Sequence, residues 1–233
     1  MLNFFAELIG SALFSLLFFV FISRYLSSNF DLDIVLLGLL IGASYFAAVY
    51  IPFHTYRIHI IPFISIIRSL QKGKLEILLY KIPDQMIGAF IGTYIYHKFS
   101  LMAGEQVVVQ EMWSYEVGNS FDLMLFNALT VFVLCYLFYI IQLLFKNMGF
   151  MSTFFYALVI QVVFIFTCQV SEISAINIFG YLSLYLIEGN PGFSHSMLGS
   201  LLIHVFIPSL IALLIYYYIR DRFLTSSSTR QAA

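Results

Sequence analysis

A polar and basic stretch, FHTYRIHIIPFIS at residues 53–65, separates two strongly apolar parts of the chain. His54, Arg57 and His59 are its titratable or charged side chains, and histidine changes charge near neutral pH. At membrane depth, backbone outside a helix or closed barrel persists only when it is buried in protein or lines a cavity. The stretch therefore predicts a re-entrant segment beside a vestibule. The histidines either sense pH there or, as the favoured interpretation, brace the loop through hydrogen bonds.

A second stretch has the same plan of a polar loop followed by a short apolar helix. It is SEISAINIFGYLSLYL at residues 171–186. In the first stretch, Pro62 suits the first turn of a short helix over 61–68, because proline has no N–H to leave unpaired there. Two such interruptions, one in each half of the chain, are typical of an inverted repeat.

The composition predicts an all-α integral membrane protein. The chain is 61% hydrophobic and 10% charged, with a mean hydropathy of +0.95, which is more apolar surface than a soluble domain can bury. A spanning helix needs roughly 20 mostly apolar residues, and six blocks of about that length qualify: 4–23, 33–52, 77–96, 121–144, 151–170 and 197–219. The net charge of −1 gives no footprint for nucleic-acid binding.

We interpret residues 1–222 as one transmembrane domain, with repeats of about 1–118 and 119–222. The polar residues 223–233 are expected to form a disordered cytoplasmic tail. Most basic residues fall on one side of the predicted spans: Arg68, Lys72, Lys74, Lys81, Lys146, Arg220, Arg222 and Arg230. By the positive-inside rule that side, with both termini, is cytoplasmic. Which membrane holds the protein is left open.

The sequence gives no reason to expect an enzyme, a cofactor or a metal site. Within the spans, neither the Ser-His-Asp pattern nor HExxH, GxSxG or a pair of aspartates at helical spacing is found. His97, His195 and His204 do not have metal-ligand spacing. Cys135 and Cys168 lie inside predicted spans and suit packing better than a disulfide.

Several polar and small residues lie inside the predicted spans, and each suggests a structural or functional role. Glu7 lies in the first span, where a charge is costly in lipid and should face the protein interior or the headgroups. Gln85 is a polar group in the third span, and Asn127 lies in the fourth at a position that mirrors Glu7. Two GxxxG pairs, Gly38 with Gly42 and Gly88 with Gly92, predict close helix packing.

On these residues the chain resembles the major intrinsic protein family, the aquaporins and glyceroporins, over nearly its whole length. The matching motifs are Ala6-Glu7-Leu8-Ile9-Gly10, the set His54, His59, Pro62, Ile64 and Ser65, the set Gln85, Gly88, Ala89 and Gly92, and Pro208 with Ala212. The resemblance implies six transmembrane helices and two re-entrant half-helices in an inverted repeat. It also implies a homotetramer in a lipid bilayer that passes water or small neutral solutes.

The resemblance also assigns roles to individual residues. The two Asn-Pro-Ala boxes of the family correspond to the pore constriction Ile61, Pro62, Phe63, Asn177, Ile178 and Phe179. The selectivity filter corresponds to Ile41, Ile165, Ser174 and Gly180. Glu7, Asn127 and Gln85 are expected to brace the pore loops, the first two through backbone N–H groups.

The departures from the family pattern fall in the boxes and the filter. One asparagine, Asn177, remains; it either donates to a passing solute or caps the following helix. Phe63 and Phe179 replace two alanines and should narrow the centre, whereas Gly180 replaces the filter arginine and should widen the outer mouth. The first hypothesis is a channel with an apolar constriction. The alternative is a poorly conducting protein of the same fold that acts in the assembly of a membrane complex.

Overall fold

A computed structural model describes residues 2–26, 33–52, 59–102, 120–145, 148–168, 175–188 and 201–230. His54, Arg57 and Ser174 lie outside these residues. Every regular element of the described part is helical. The α-helices are α1 (Leu2–Leu26), α2 (Ile34–Tyr50), α3 (Pro62–Lys72), α4 (Leu78–Met102), α5 (Ser120–Leu144), α6 (Gly149–Cys168), α7 (Ile178–Glu188) and α8 (Ile207–Arg230).

Four segments are long and apolar enough to cross a membrane: Phe5–Tyr25, Met124–Leu144, Gly149–Thr167 and Leu202–Ile219. The prediction of an all-α membrane protein is confirmed at that level. Helix α2 is apolar but shorter, with 17 residues, which is about 25 Å of helix. Helix α4 has 25 residues and carries Lys81 and Asp84 in its first half.

The two GxxxG pairs lie where helices approach each other most closely. A Cβ on Gly88 or Gly92 would collide with the backbone carbonyls of Leu8 and Ala12 on α1. On α2, a Cβ on Gly42 would lie 2.8 Å from the Ala157 carbonyl oxygen of α6. Small residues are what allow backbones to come this close. The packing interpretation of both pairs is therefore confirmed.

The two short helices begin close to the predicted positions. Ile61 is extended (φ −92°, ψ 119°) and Pro62 opens α3, which ends at Gly73 with φ of 62°, a left-handed conformation that glycine adopts without strain. A 3₁₀ turn over Ala175–Asn177 leads into α7. Helix α3 packs against α5 and α8 as well as α4, and α7 packs against α4. Each short helix thus contacts long helices of the other half.

The last helical region begins with a π-helical stretch, Leu201–Phe206, before α8. Pro208 has no N–H for the carbonyl of His204, four residues earlier. The Asn127 amide nitrogen donates to that carbonyl at 3.3 Å, so α5 supplies a donor where the proline cannot. Helix α8 then continues to Arg230, into the segment expected to be a disordered tail. No glycine or further proline interrupts it there.

A continuous set of aromatic rings fills the middle of the bundle, which we call the aromatic chain. Its members are Phe14, Phe18, Phe19, Tyr45, Tyr96, Phe138, Tyr156, Phe164 and Tyr181, all of them buried. Successive centroids lie 5.0 to 6.0 Å apart, and all but the stacked Phe19–Tyr96 pair meet at steep angles. This set forms part of the core and ties α1, α2, α4, α5, α6 and α7 together.

Candidate functional site

A small cavity lies where α3 and α7 begin. Its walls come from four parts of the chain: Ser11, Phe14 and Ser15 of α1, Gln85 and Ala89 of α4, Ile60 and Pro62 at the start of α3, and Ile176 to Phe179 at the start of α7. Its volume is about 10 Å³, close to the least space that holds one water molecule. The two interrupted segments identified in the sequence therefore meet at one place.

Asn177 is the polar residue that α7 brings to this cavity. Its side chain accepts a hydrogen bond at 3.1 Å from the Ser15 hydroxyl. Its amide nitrogen, Nδ2, is buried and has no hydrogen-bond partner in the described part of the chain. Both observations place the side chain against α1, with donor capacity still available.

The predicted constriction residues divide into two groups. Pro62, Ile178 and Phe179 line the cavity beside Asn177. Ile61 and Phe63 are buried, 1% and 2% exposed, but they belong to the apolar core rather than to the cavity wall. The two phenylalanines of the boxes are therefore not equivalent in their surroundings.

The three predicted filter residues that the structure describes do not line the cavity. Ile41 is fully buried on α2, and Ile165 of α6 packs against Gly38. The Asn177 side chain lies directly over Gly180, so that a Cβ there would come within 2.7 Å of its Cγ. The missing side chain of Gly180 thus makes room for Asn177, whereas the sequence suggested that it opens the outer mouth.

Gln85 contacts the segment before α3. It is fully buried, and its amide nitrogen lies within hydrogen-bond distance of three acceptors that its two N–H groups share: the His59 carbonyl, the Ser65 hydroxyl at 2.6 Å and Glu7 at 3.5 Å. The Ser65 hydroxyl in turn donates to the His59 carbonyl at 3.3 Å. These bonds tie α1, α3 and α4 together next to the cavity.

Glu7 has a different partner from the one expected. The side chain is buried, 4% exposed, and it pairs with Lys81 of α4, whose side chain is 26% exposed. The sequence placed Lys81 among the cytoplasmic charges only. Lys81 and Gln85 are four residues apart and so share one face of α4, and that spacing could have indicated a common acidic partner.

His59 lies inside the protein rather than at an open surface. His59 is 5% exposed. Its ring packs edge-on against Phe138, with the ring centroids 5.3 Å apart, and its Nε2 atom contacts the Arg68 guanidinium. This geometry favours the loop-bracing interpretation over a pH-sensing vestibule for His59.

The site offers neutral hydrogen-bonding groups in an apolar wall, with one ion pair beside it. In the described residues no group of three His, Cys, Asp or Glu side chains is arranged to hold a metal ion. Such a site suits a small molecule that both donates and accepts hydrogen bonds. It offers no direct charge partner inside the cavity wall.

Comparison with protein-family models and with curated proteins finds no match to this chain. The resemblance to the major intrinsic proteins therefore depends on the motifs described above.

Proposed function

We propose that this protein has the aquaporin-like arrangement of six spans and two re-entrant half-helices. We further propose that it is a passive channel for water or a small neutral solute, with a slow, apolar central passage. The observation that carries the proposal is the meeting of α3 and α7 at one cavity, with Pro62 from one and Asn177 from the other in its wall.

The packing of the short helices supports the same arrangement. Each contacts long helices of the opposite half, which is how two interrupted segments of an inverted repeat build a shared site. The N-terminal end of a helix carries a partial positive charge. Two such ends beside one passage would disfavour cations and protons relative to neutral molecules.

The slow permeation that we propose follows from the packing of the protein interior. Rings at the separations seen in the aromatic chain are in van der Waals contact, so water does not fit between them. A solute would have to displace rings or follow a narrow route past Phe14 and Phe179, which line the cavity. Each hydrogen bond that water loses in an apolar passage costs about 1–3 kcal/mol.

The aromatic chain also favours a second candidate function. A membrane protein whose interior is closed by packed rings could act as a subunit that organises a membrane complex. A homotetramer, which the resemblance to the major intrinsic proteins implies, is proposed under either function. Membrane helices would associate there by close packing of their outer faces. A mass of one subunit in mild detergent would contradict the tetramer.

The test is osmotic shrinkage of vesicles that contain the purified protein, with water, glycerol or urea as the permeant. We expect a low native water permeability. We expect Phe14→Ala with Phe179→Ala to raise it by about tenfold, because about 1.4 kcal/mol off a barrier is a factor of ten. Phe63→Ala is the matched control, since Phe63 is buried but away from the cavity wall.

Three outcomes separate the candidates. A native rate as fast as an ordinary aquaporin measured beside it would contradict the slow passage. A folded double variant with unchanged flux would contradict the route past the cavity. If neither protein exceeds empty vesicles for any permeant, the assembly function is favoured over the channel.

A further inference from the structure

Three residues that line the cavity each carry a buried polar atom with no hydrogen-bond partner in the described part of the chain. The atoms are the Ser11 hydroxyl, the Gln85 carbonyl oxygen Oε1 and the Asn177 amide nitrogen Nδ2. The three residues are at most 5% exposed. Buried polar groups in proteins nearly always have a partner, so three unpaired ones at one cavity need an explanation.

The three atoms together match the bonding capacity of one water molecule. Asn177 Nδ2 is a donor, Gln85 Oε1 is an acceptor, and the Ser11 hydroxyl can be either. A water can accept from Asn177, donate to Gln85 and use a third bond for Ser11. Buried waters typically make about three hydrogen bonds.

The assignment of the Gln85 amide is fixed by its other bonds. Its nitrogen side faces the His59 carbonyl, which can only accept. The oxygen side is therefore the one left without a partner, and the cavity needs a donor there. A cation could not satisfy Asn177 Nδ2, and an anion could not satisfy Gln85 Oε1.

We propose that this cavity is a binding site for one resident water molecule, which joins α1, α4 and α7. Helices α1 and α4 belong to the first half of the chain and α7 to the second, so the water bridges the two halves. The remaining wall includes the apolar side chains of Phe14, Ala89 and Phe179, which enclose it. The water is part of the structure, and the proposal holds whether or not the protein conducts.

The effect of Ser11→Ala on stability depends on whether the cavity holds a water molecule. If no water is present, the Ser11 hydroxyl is an unsatisfied buried group, and Ser11→Ala removes that unfavourable burial. If the water is present, Ser11→Ala removes one of its bonds and lowers stability. The sign of the change in unfolding temperature therefore distinguishes the two states.

Ser23→Ala is the matched control. Ser23 is also buried on α1, 6% exposed, but its hydroxyl bonds to the Val20 carbonyl within the helix at 3.0 Å. Gln85→Leu is unsuitable, because it would also remove the bonds to His59 and Ser65.

The experiment combines a structure of the native protein, at a resolution where ordered water is visible, with unfolding of the two variants in detergent. We expect one density peak between Ser11, Gln85 and Asn177. We also expect Ser11→Ala to lower the midpoint of the native protein by about 2–4 °C, and Ser23→Ala shows the effect of removing a buried hydroxyl whose bond lies within α1. A well-ordered map without that peak, or a Ser11→Ala midpoint at or above that of the native protein, would overturn the proposal. The density measurement decides even if Ser11→Ala fails to fold.

Discussion

Gln85 joins three parts of the protein through one amide group. Its nitrogen lies within hydrogen-bond distance of the His59 carbonyl, Ser65 and Glu7, and the residue also lines the cavity. A fully buried amide with several partners stabilises the fold, and its loss removes one bond from each partner. The geometry of the segment before α3 therefore depends on this one residue.

We expect Gln85→Leu to lower the free energy of unfolding by about 3 kcal/mol, since it removes several buried hydrogen bonds and each contributes about 1 kcal/mol. Reversible unfolding of the purified protein in mixed micelles measures the change. Gln142→Leu is the control, because Gln142 is only half-buried and makes one described bond from its amide nitrogen, to Ser152 at 3.2 Å. Its expected cost is about 1 kcal/mol. Equal costs for the two variants would show that Gln85 has no special role.

For single residues, the sequence predicted which side chains have structural roles more accurately than it predicted the groups that they contact. Glu7, Gln85 and Asn127 were expected to brace loops, because polar groups in apolar spans are expensive. Their partners Lys81, His59 and His204 depend on how far each helix is rotated and shifted against its neighbour. A single sequence does not contain that register, so the ion pair of Glu7 with Lys81 was not predicted.

The contact between α1 and α4 depends on two glycines. A Cβ on Gly92 would meet the Ala12 carbonyl, with the Ala12 Cα at 3.0 Å, and backbone cannot move aside as a side chain can. We expect Gly92→Ala to destabilise the protein by about 1–3 kcal/mol through overpacking.

Gly149→Ala is the control for that substitution. Nothing lies within 4 Å of the Cβ that it would add, and alanine favours helix over glycine by about 1 kcal/mol. Thermal unfolding of both variants in the same detergent compares them. A Gly92→Ala protein as stable as Gly149→Ala would mean that α1 and α4 can separate at little cost.

Asn127 and Pro208 should be energetically coupled. Asn127→Ala removes the donor to the His204 carbonyl, at an expected cost of about 1 kcal/mol. In a Pro208→Ala background, residue 208 has an N–H that can bond the same carbonyl, so the same substitution should cost less. A double-mutant cycle measures this coupling. Strictly additive costs would show that the bond from Asn127 does not compensate for the proline.

At the scale of elements, the sequence predicted most of the helices within a few residues. Apolar blocks fix where the long helices lie, and Pro62 fixes where α3 begins. The π-helical stretch before α8 and the extension to Arg230 were not predicted. In the π-helical stretch, a carbonyl accepts a hydrogen bond from a side chain of α5, and the extension to Arg230 is a polar segment without a helix breaker.

For the whole molecule, the distribution of basic residues predicts both termini on the cytoplasmic side. A cysteine placed at residue 227 should react with a membrane-impermeant reagent only after the cytoplasmic face is opened. A cysteine at residue 104 should react from the outside. The background is Cys135→Ala with Cys168→Ala, so that only the new thiol is labelled. Labelling of both positions from one side would rule out six spans.

Helices α3 and α7 each pack against helices of the other half of the chain, and this affects how the protein folds during its synthesis. The ribosome releases the segment around α3 well before α5 and α8, against which it packs. A nascent first half inserted in the bilayer therefore holds a polar segment that has not yet found its final neighbours. Residues 1–118 should not be a stable product of translation by themselves, and maturation of the protein has to wait until its last helix leaves the insertion machinery.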